Sequence, residues 1–237
     1  MKVQNLAELL SSNAYPGRGI VVGRSSDNEN TVIAYFIMGR SANSRNRIFS
    51  VTEDGIQTEA ADPSKLEDPS LIIYHPVREL PRVTIVTNGD QTDTIRNGIV
   101  DGLSWFDSLR TRCFEPDPPN YTPRISALCG LDGSYSLSIL KSFDGNPNCN
   151  KRFYFEYDTP LAGMGHFIHT YMGDGSPLPS FEGEPETVFI EANDVDAWGN
   201  MIWENLNPDN KVSLYVSFIN LATGKANTRI YNKFEKV

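Results

Sequence analysis

The sequence predicts an α+β domain. Short β-branched and aromatic runs bounded by turn residues recur along almost the whole chain, and only two segments keep the 3.6-residue apolar period of a helix. Neither an internal repeat nor a low-complexity linker divides them. At 237 residues and 39% hydrophobic composition there is apolar material for one large core, so residues 1–237 are expected to form a single domain.

Residues 5–12 suit a short opening helix. Residues 19–24 and 31–39 read as a β-hairpin around the polar turn Asp27-Asn28-Glu29-Asn30, and residues 48–52 and 56–59 as a second pair around Asp54-Gly55. The β-branched runs 71–74 and 83–87 are each expected as a buried strand. In the clearest helix, Ile95, Ile99, Leu103, Phe106 and Leu109 share one face, with Asp90 or Thr92 placed to cap its start. Four prolines between Phe114 and Arg124 force an irregular loop. Strands are expected again at 125–129, 135–140, 153–157, 165–171 and 187–191, a helix at 194–206, and two closing strands at 212–218 and 228–234.

A net charge of −9 argues against a nucleic-acid partner, because a phosphate backbone demands clustered Lys and Arg. Residues 1–50 nevertheless hold six bases (Lys2, Arg18, Arg24, Arg40, Arg45, Arg47) and three acids, which leaves −12 for the remainder. Such an island suits one compact anion better than a polymer, although a solvated basic edge would look the same. Cys113, Cys129 and Cys149 are odd in number and contain no CxxC pair, so neither a disulfide framework nor a zinc site is expected, and a reduced cytoplasm is the simplest compartment. No stretch approaches the roughly 18 to 20 uninterrupted apolar residues of a membrane helix, and residues 1–6 lack the apolar run of a secretory signal.

Five blocks carry chemistry. Tyr15-Pro16-Gly17-Arg18-Gly19, with Gly23-Arg24 beyond it, is a glycine-rich entry to a strand where backbone can approach a ligand; a plain glycine turn would read alike. Residues 39–47 gather Arg40, Arg45, Arg47, two serines and two asparagines without an acid, the donor set of a phosphate loop or of an exposed loop paired to acids elsewhere. Thr87-Asn88-Gly89-Asp90-Gln91-Thr92-Asp93 joins a strand to a helix N-terminus, where free N–H groups favour anionic or carbonyl ligands, and where ordinary capping needs the same residues. The loop 114–124 presents Glu115, Asp117, Asn120, Thr122 and Arg124 on a proline-stiffened frame. In the fifth block, His169 and Tyr171 share a strand face with Phe167, while the i, i+3 spacing sends His166 to the other face, so no metal site is expected there.

In this order, the blocks resemble the archaeal-type IMP cyclohydrolase family and its bacterial relatives, from about Tyr15 to about Phe181. The strongest parts are Tyr15-x-Gly17-Arg18 with Gly23-Arg24, Arg40-Ser41 leading to Asn46-Arg47, Asn88-Gly89-x-x-Thr92-Asp93-Thr94-Ile95, and Asn120-Tyr121-Thr122-Pro123-Arg124-Ile125. The chain is longer than the archaeal form between Arg40 and Asn46, and the tail after Glu182 differs.

The resemblance implies an N-terminal-nucleophile-hydrolase-like four-layer sandwich, with two antiparallel sheets between helices. It implies closure of 5-formamidoimidazole-4-carboxamide ribotide to IMP with loss of water, without a cofactor. A binding protein keeping the nucleotide pocket, or an amide hydrolase reusing the fold, is the alternative. An N-terminal nucleophile requires Ser, Thr or Cys, and position 2 is Lys, so the expected mechanism is non-covalent. The expected partner is a small phosphorylated nucleotide, and a homo-oligomer is left open. Arg18, Arg40 and Arg47 are expected at the ribose phosphate and Asn88, Thr92 and Asp93 at the carboxamide or formyl group, with Ser41, Gly89, Asn120 and Thr122 as further substrate-binding residues. Glu115 or Asp117 would accept a proton, and Tyr74, Arg78 or Arg124 would donate or orient.

Overall fold

The structure is a computed structural model that describes residues 3–236. Helix α1 (Leu6–Ser12) starts at Asn5, whose side chain accepts from the Glu8 amide. Strands β1 (Arg18–Arg24) and β2 (Asn30–Met38) form the first hairpin. A single turn, α2 (Ala42–Arg45), closed by a Ser41–Ser44 capping box, occupies the arginine-rich loop. Strands β3 (Arg47–Thr52) and β4 (Gly55–Ala60) follow, then β5 (Val77–Leu80), β6 (Val83–Thr87), α3 (Gln91–Val100) and α4 (Trp105–Arg110). Strands β7 (Arg124–Gly130), β8 (Tyr135–Phe143), β9 (Asn146–Tyr157), β10 (Met164–His169) and β11 (Glu186–Phe189) lead to α5 (Val195–Asn205), β12 (Lys211–Asn220) and β13 (Ala226–Asn232).

The strands make two antiparallel sheets, ordered β11-β10-β1-β2-β12-β13 and β3-β4-β5-β6-β7-β8-β9. Alternation along each strand gives every sheet two apolar faces. Ile20, Val22, Ile33 and Ile37 of the first sheet meet Val86, Ile125, Ala127 and Leu137 of the second in a shared core. The other face of the first sheet packs on α1 and α5 through Leu10, Trp198 and Ile202, and that of the second on α3 and α4 through Ile95, Trp105 and Leu109. Helices therefore cover both outer faces. No helix among the described residues is long and apolar enough to cross a membrane.

Three expectations change. Residues 71–74 form a turn, and the ladder strand is β5, which begins just after Pro76. Tyr74 is instead pinned beside β4, its amide donating to Thr58 Oγ1 at 2.8 Å and its carbonyl accepting from the Thr58 amide at 2.8 Å. The helix expected through Leu109 is two helices, because Gly102 takes φ +82 and Ser104 starts a fresh N-cap on the Asp107 amide. Asp90 occupies the N-cap position of α3 but makes no side-chain cap; its carboxylate turns to Arg112 and Arg124.

Candidate active site

Arg18 opens β1 and Arg47 opens β3; the Arg47 side chain is buried and that of Arg18 is 11% exposed. Arg47 is 1% exposed. Its Nε donates to the Ser44 carbonyl at 2.7 Å and its Nη2 to the Met38 carbonyl at 3.2 Å, while Nη1 has no partner. Burial pushes its guanidinium below the ordinary value, and the like charge of Arg18 pushes the same way. Arg18 Nη2 meets Glu115 Oε2 at 3.3 Å and its Nε is unpartnered. Burial alone would lower Arg18, but the Glu115 carboxylate holds it well above its usual value. Beside them, the Tyr35 and Tyr74 hydroxyls share a buried hydrogen bond of 2.7 Å. Burial, then Tyr74, raises the Tyr35 phenol well above its ordinary value.

The loop 114–124 is braced from within. The Glu115 amide donates to the Thr122 carbonyl at 2.9 Å. Asp117 accepts from the Thr122 amide at 2.6 Å and from its hydroxyl at 2.5 Å. An ionised carboxylate can only accept, so the Tyr171 hydroxyl must donate to Thr122 Oγ1, 2.5 Å away. Asn120 Oδ1 accepts from the Leu178 amide at 3.0 Å. Asp117 and Thr122 are thereby engaged in shaping the loop, whereas Glu115, 2% exposed, keeps Oε1 without a partner. Burial raises the Glu115 pKa above the usual carboxyl value, with Arg18 and Arg124 opposing.

The start of α3 closes the cluster. Arg124 Nη1 reaches Gln91 Oε1 and Asp90 Oδ1, each at 2.7 Å, and its Nε is unpartnered. The Asn88 amide ties the end of β6 to β7, donating to the Pro123 carbonyl at 2.8 Å and accepting from the Ile125 amide at 2.9 Å. Thr92 Oγ1 lies 2.5 Å from Thr87 Oγ1 and 3.0 Å from the Gly89 carbonyl. A Cβ on Gly89 would stand 2.5 Å from Arg124 Nη1 and 2.7 Å from Gln91 Oε1, so a side chain here would displace the pair that these two groups make.

The three arginines expected to share one phosphate are divided. Arg40 lies outside, bonded to Asp174 at 2.5 Å and over the Tyr15 ring at 5.2 Å, and Ser41 is engaged in the cap of α2. Arg78 and Asp93 pair with each other at 3.0 Å, with Asp54 and His75 alongside. Sequence reasoning missed Tyr35 and Gln91. A tyrosine between Ile33 and Ile37 on one strand face was the available signal, since a buried phenol needs a partner. Among the described residues, no group of three or more His, Cys, Asp or Glu side chains could hold a metal.

A family model described as IMP cyclohydrolase-like protein matches residues 15–225. The chain is 36% identical over 128 residues to an IMP cyclohydrolase of Methanococcus maripaludis (strain C7), covering 51% of this chain and 61% of that protein. It is 31% identical over 131 residues to one of Methanocella arvoryzae, covering 54% and 63%, and 27% identical over 170 residues to one of Methanopyrus kandleri, covering 70% and 79%. The first of these matches thus spans about three fifths of the relative's length.

Proposed function

The chain belongs to the IMP cyclohydrolase-like family, and on that premise we propose that it closes 5-formamidoimidazole-4-carboxamide ribotide to IMP with loss of water, in the cytoplasm. The observation that carries this reading is the buried cluster in which Arg18 Nε, Arg47 Nη1, Arg124 Nε and Glu115 Oε1 lack partners. Buried polar atoms are nearly always satisfied. Three unsatisfied guanidinium donors around a carboxylate with one unsatisfied oxygen therefore favour a polar ligand that supplies both donors and acceptors, as a carboxamide and a formyl group do.

In this reaction the carboxamide nitrogen attacks the formyl carbon, and the resulting carbinolamine loses water. Both groups sit on one molecule, so clamping supplies much of the rate. Glu115 takes the proton from the attacking nitrogen and returns it to the formyl oxygen, which becomes the carbinolamine hydroxyl. That hydroxyl then leaves as water with the proton of the former formamide nitrogen as the C=N bond forms. The burial-raised pKa of Glu115 suits a group that both takes up and gives back a proton. Arg18 and Arg47 stabilise negative charge on the formyl oxygen, with the Tyr35–Tyr74 pair as hydroxyl donor beside them. Asp117, Thr122 and Asn120 hold the loop, and Asn88, Gly89 and Thr92 hold the turn before α3.

A non-covalent mechanism is supported by what the candidate nucleophiles do. The Thr122 and Thr92 hydroxyls are hydrogen-bonded within the frame, and burial pushes the Cys129 thiol up to about 12. The helix-covered pair of antiparallel sheets supports reading the architecture as N-terminal-nucleophile-hydrolase-like, and residues 1–237 as one domain.

The test is ring closure of the formylated ribotide, followed by absorbance, in wild type and Glu115→Gln. The expected result is a kcat lower by about 10²- to 10⁴-fold in the variant with KM little changed. The acid limb of the wild-type pH–rate profile, displaced above the ordinary glutamate range, should vanish with it. Wild-type kcat in Glu115→Gln would remove Glu115 as the base, and absence of turnover in the wild type would remove the function.

A further inference from the structure

Lys141 is a buried charge that the reaction above leaves unused. It follows Leu137 and Ile139 along the inner face of β8 and is 7% exposed. An ammonium carries three N–H donors. Among the described residues Lys141 Nζ has one acceptor, the Phe181 carbonyl at 2.5 Å, and no carboxylate within ion-pair distance. Burial pushes the ammonium below its ordinary value; Glu182 and Asp144 oppose this from farther off and Lys151 adds to it.

The side chain lines a cavity of about 210 Å³ between the proline-stiffened loop and residues 177–182. Asn120, Ser142 and Ser180 line the same cavity. Asp144 and Glu182 also reach it, but both are exposed, where water and salt screen them. The Lys141 charge sits in low dielectric and is felt at close range. Asn120 links this cavity to the candidate active site, because it rides on the loop that carries Glu115 while its Oδ1 holds the Leu178 amide.

We propose that Lys141 anchors a phosphate monoester, the phosphorylated end of the ribotide, in this cavity, with the Ser142 hydroxyl and the Asn120 amide as further donors. The inference rests on the cyclohydrolase reading. It assigns the phosphate to β8 and leaves Arg18, Arg47 and Arg124 to the carbonyl groups of the base. It also gives the Lys141 ammonium a partner of opposite charge at close range, which neither exposed carboxylate supplies.

The test compares calorimetric affinities for IMP, inosine and ribose 5-phosphate in wild type, Lys141→Gln and Lys141→Arg. Gln retains a donor for the Phe181 carbonyl and removes the charge. Lys141→Gln should weaken IMP and ribose 5-phosphate by about tenfold or more, leave inosine within about threefold, and Lys141→Arg should recover most of the loss. Equal weakening of IMP and inosine would mean that Lys141 only holds residues 177–182, and overturns the proposal; so does unchanged IMP affinity. If the wild type neither turns over the ribotide nor binds IMP, the cyclohydrolase reading fails separately. The phosphate site is then decided by ribose 5-phosphate alone, whose Lys141-dependent binding supports it and whose failure to bind overturns it.

Discussion

Arg47 brings a full positive charge into the inter-sheet region with Nη1 unpartnered, close enough to Arg18 for the two to repel. A buried guanidinium held only by two backbone carbonyls adds little to stability, and replacement by an apolar side chain of similar length is often neutral or favourable. Arg47→Met should therefore leave the melting temperature level or raise it. Loss of one charge-assisted contact to the reacting groups should lower kcat/KM by about tenfold to several hundredfold, roughly 1.5–3 kcal/mol. Steady-state kinetics and a thermal melt on one preparation check both halves. A variant that melts early and keeps its kcat/KM would make Arg47 a structural residue. Both Arg47 and Glu115 were legible in the sequence as residue types in suspicious loops, but their partners were not. Arg18 and Glu115 are 97 residues apart, and Asp117 separates from Glu115 in role only because Thr122 folds back onto it.

At the scale of elements, α3 and α4 meet at Gly98. A Cβ there would lie 1.9 Å from Ser108 Oγ and 2.9 Å from Ser108 Cβ. Ala is the better helix former by about 1 kcal/mol. The Ser108 hydroxyl can rotate away, but its Cβ cannot, so α4 must shift, at a cost of typically 1–3 kcal/mol. The steric term should win, and Gly98→Ala should lower stability in chemical denaturation and weaken amide protection in α4 before α3. Increased stability would show that the helices slide apart freely. Gly98 and Gly102 also explain why periodicity alone misjudged this region. The apolar spacing runs on through Leu103 to Leu109, yet Leu103 is 52% exposed, because the chain turns at Gly102 and restarts at Ser104. Likewise residues 71–74 have strand composition, but a proline on either side, Pro69 and Pro76, keeps them out of the ladder.

The two sheets are joined at one seam by His166. This β10 side chain stacks on Tyr157 of β9, with ring centroids 3.8 Å apart, and its Nδ1 lies 2.6 Å from the Tyr135 hydroxyl of β8. Burial lowers its pKa to about 4. Near its ordinary value of about 6.5 the unfolded chain takes up a proton that the folded chain refuses until about pH 4. Stability should therefore fall as pH drops from about 6.5 to about 4. After discounting for a ring that is only partly covered, the fall attributable to His166 is about 1–2 kcal/mol. His166→Phe keeps a flat ring in the stack and should flatten that part of the pH–stability curve. An unchanged slope in urea titrations at several pH values across the window would place the sensitivity elsewhere.

For the molecule as a whole, local chemistry determined the kind of element at most positions. Alternation and turn residues marked most of the strands, the prolines marked the irregular loop 114–124, and the strand period alone separated His166 from His169. These properties depend on neighbours within a few residues, so a one-dimensional reading reaches them. The order β11-β10-β1-β2-β12-β13, the seam between the sheets and the meeting of Arg18, Arg47, Tyr35 and Glu115 were decided only by tertiary structure. Burial of both faces of each sheet selects one arrangement among many that share the same local pattern. The unpartnered donors of Arg18, Arg47 and Arg124 exist only because that packing takes them out of water.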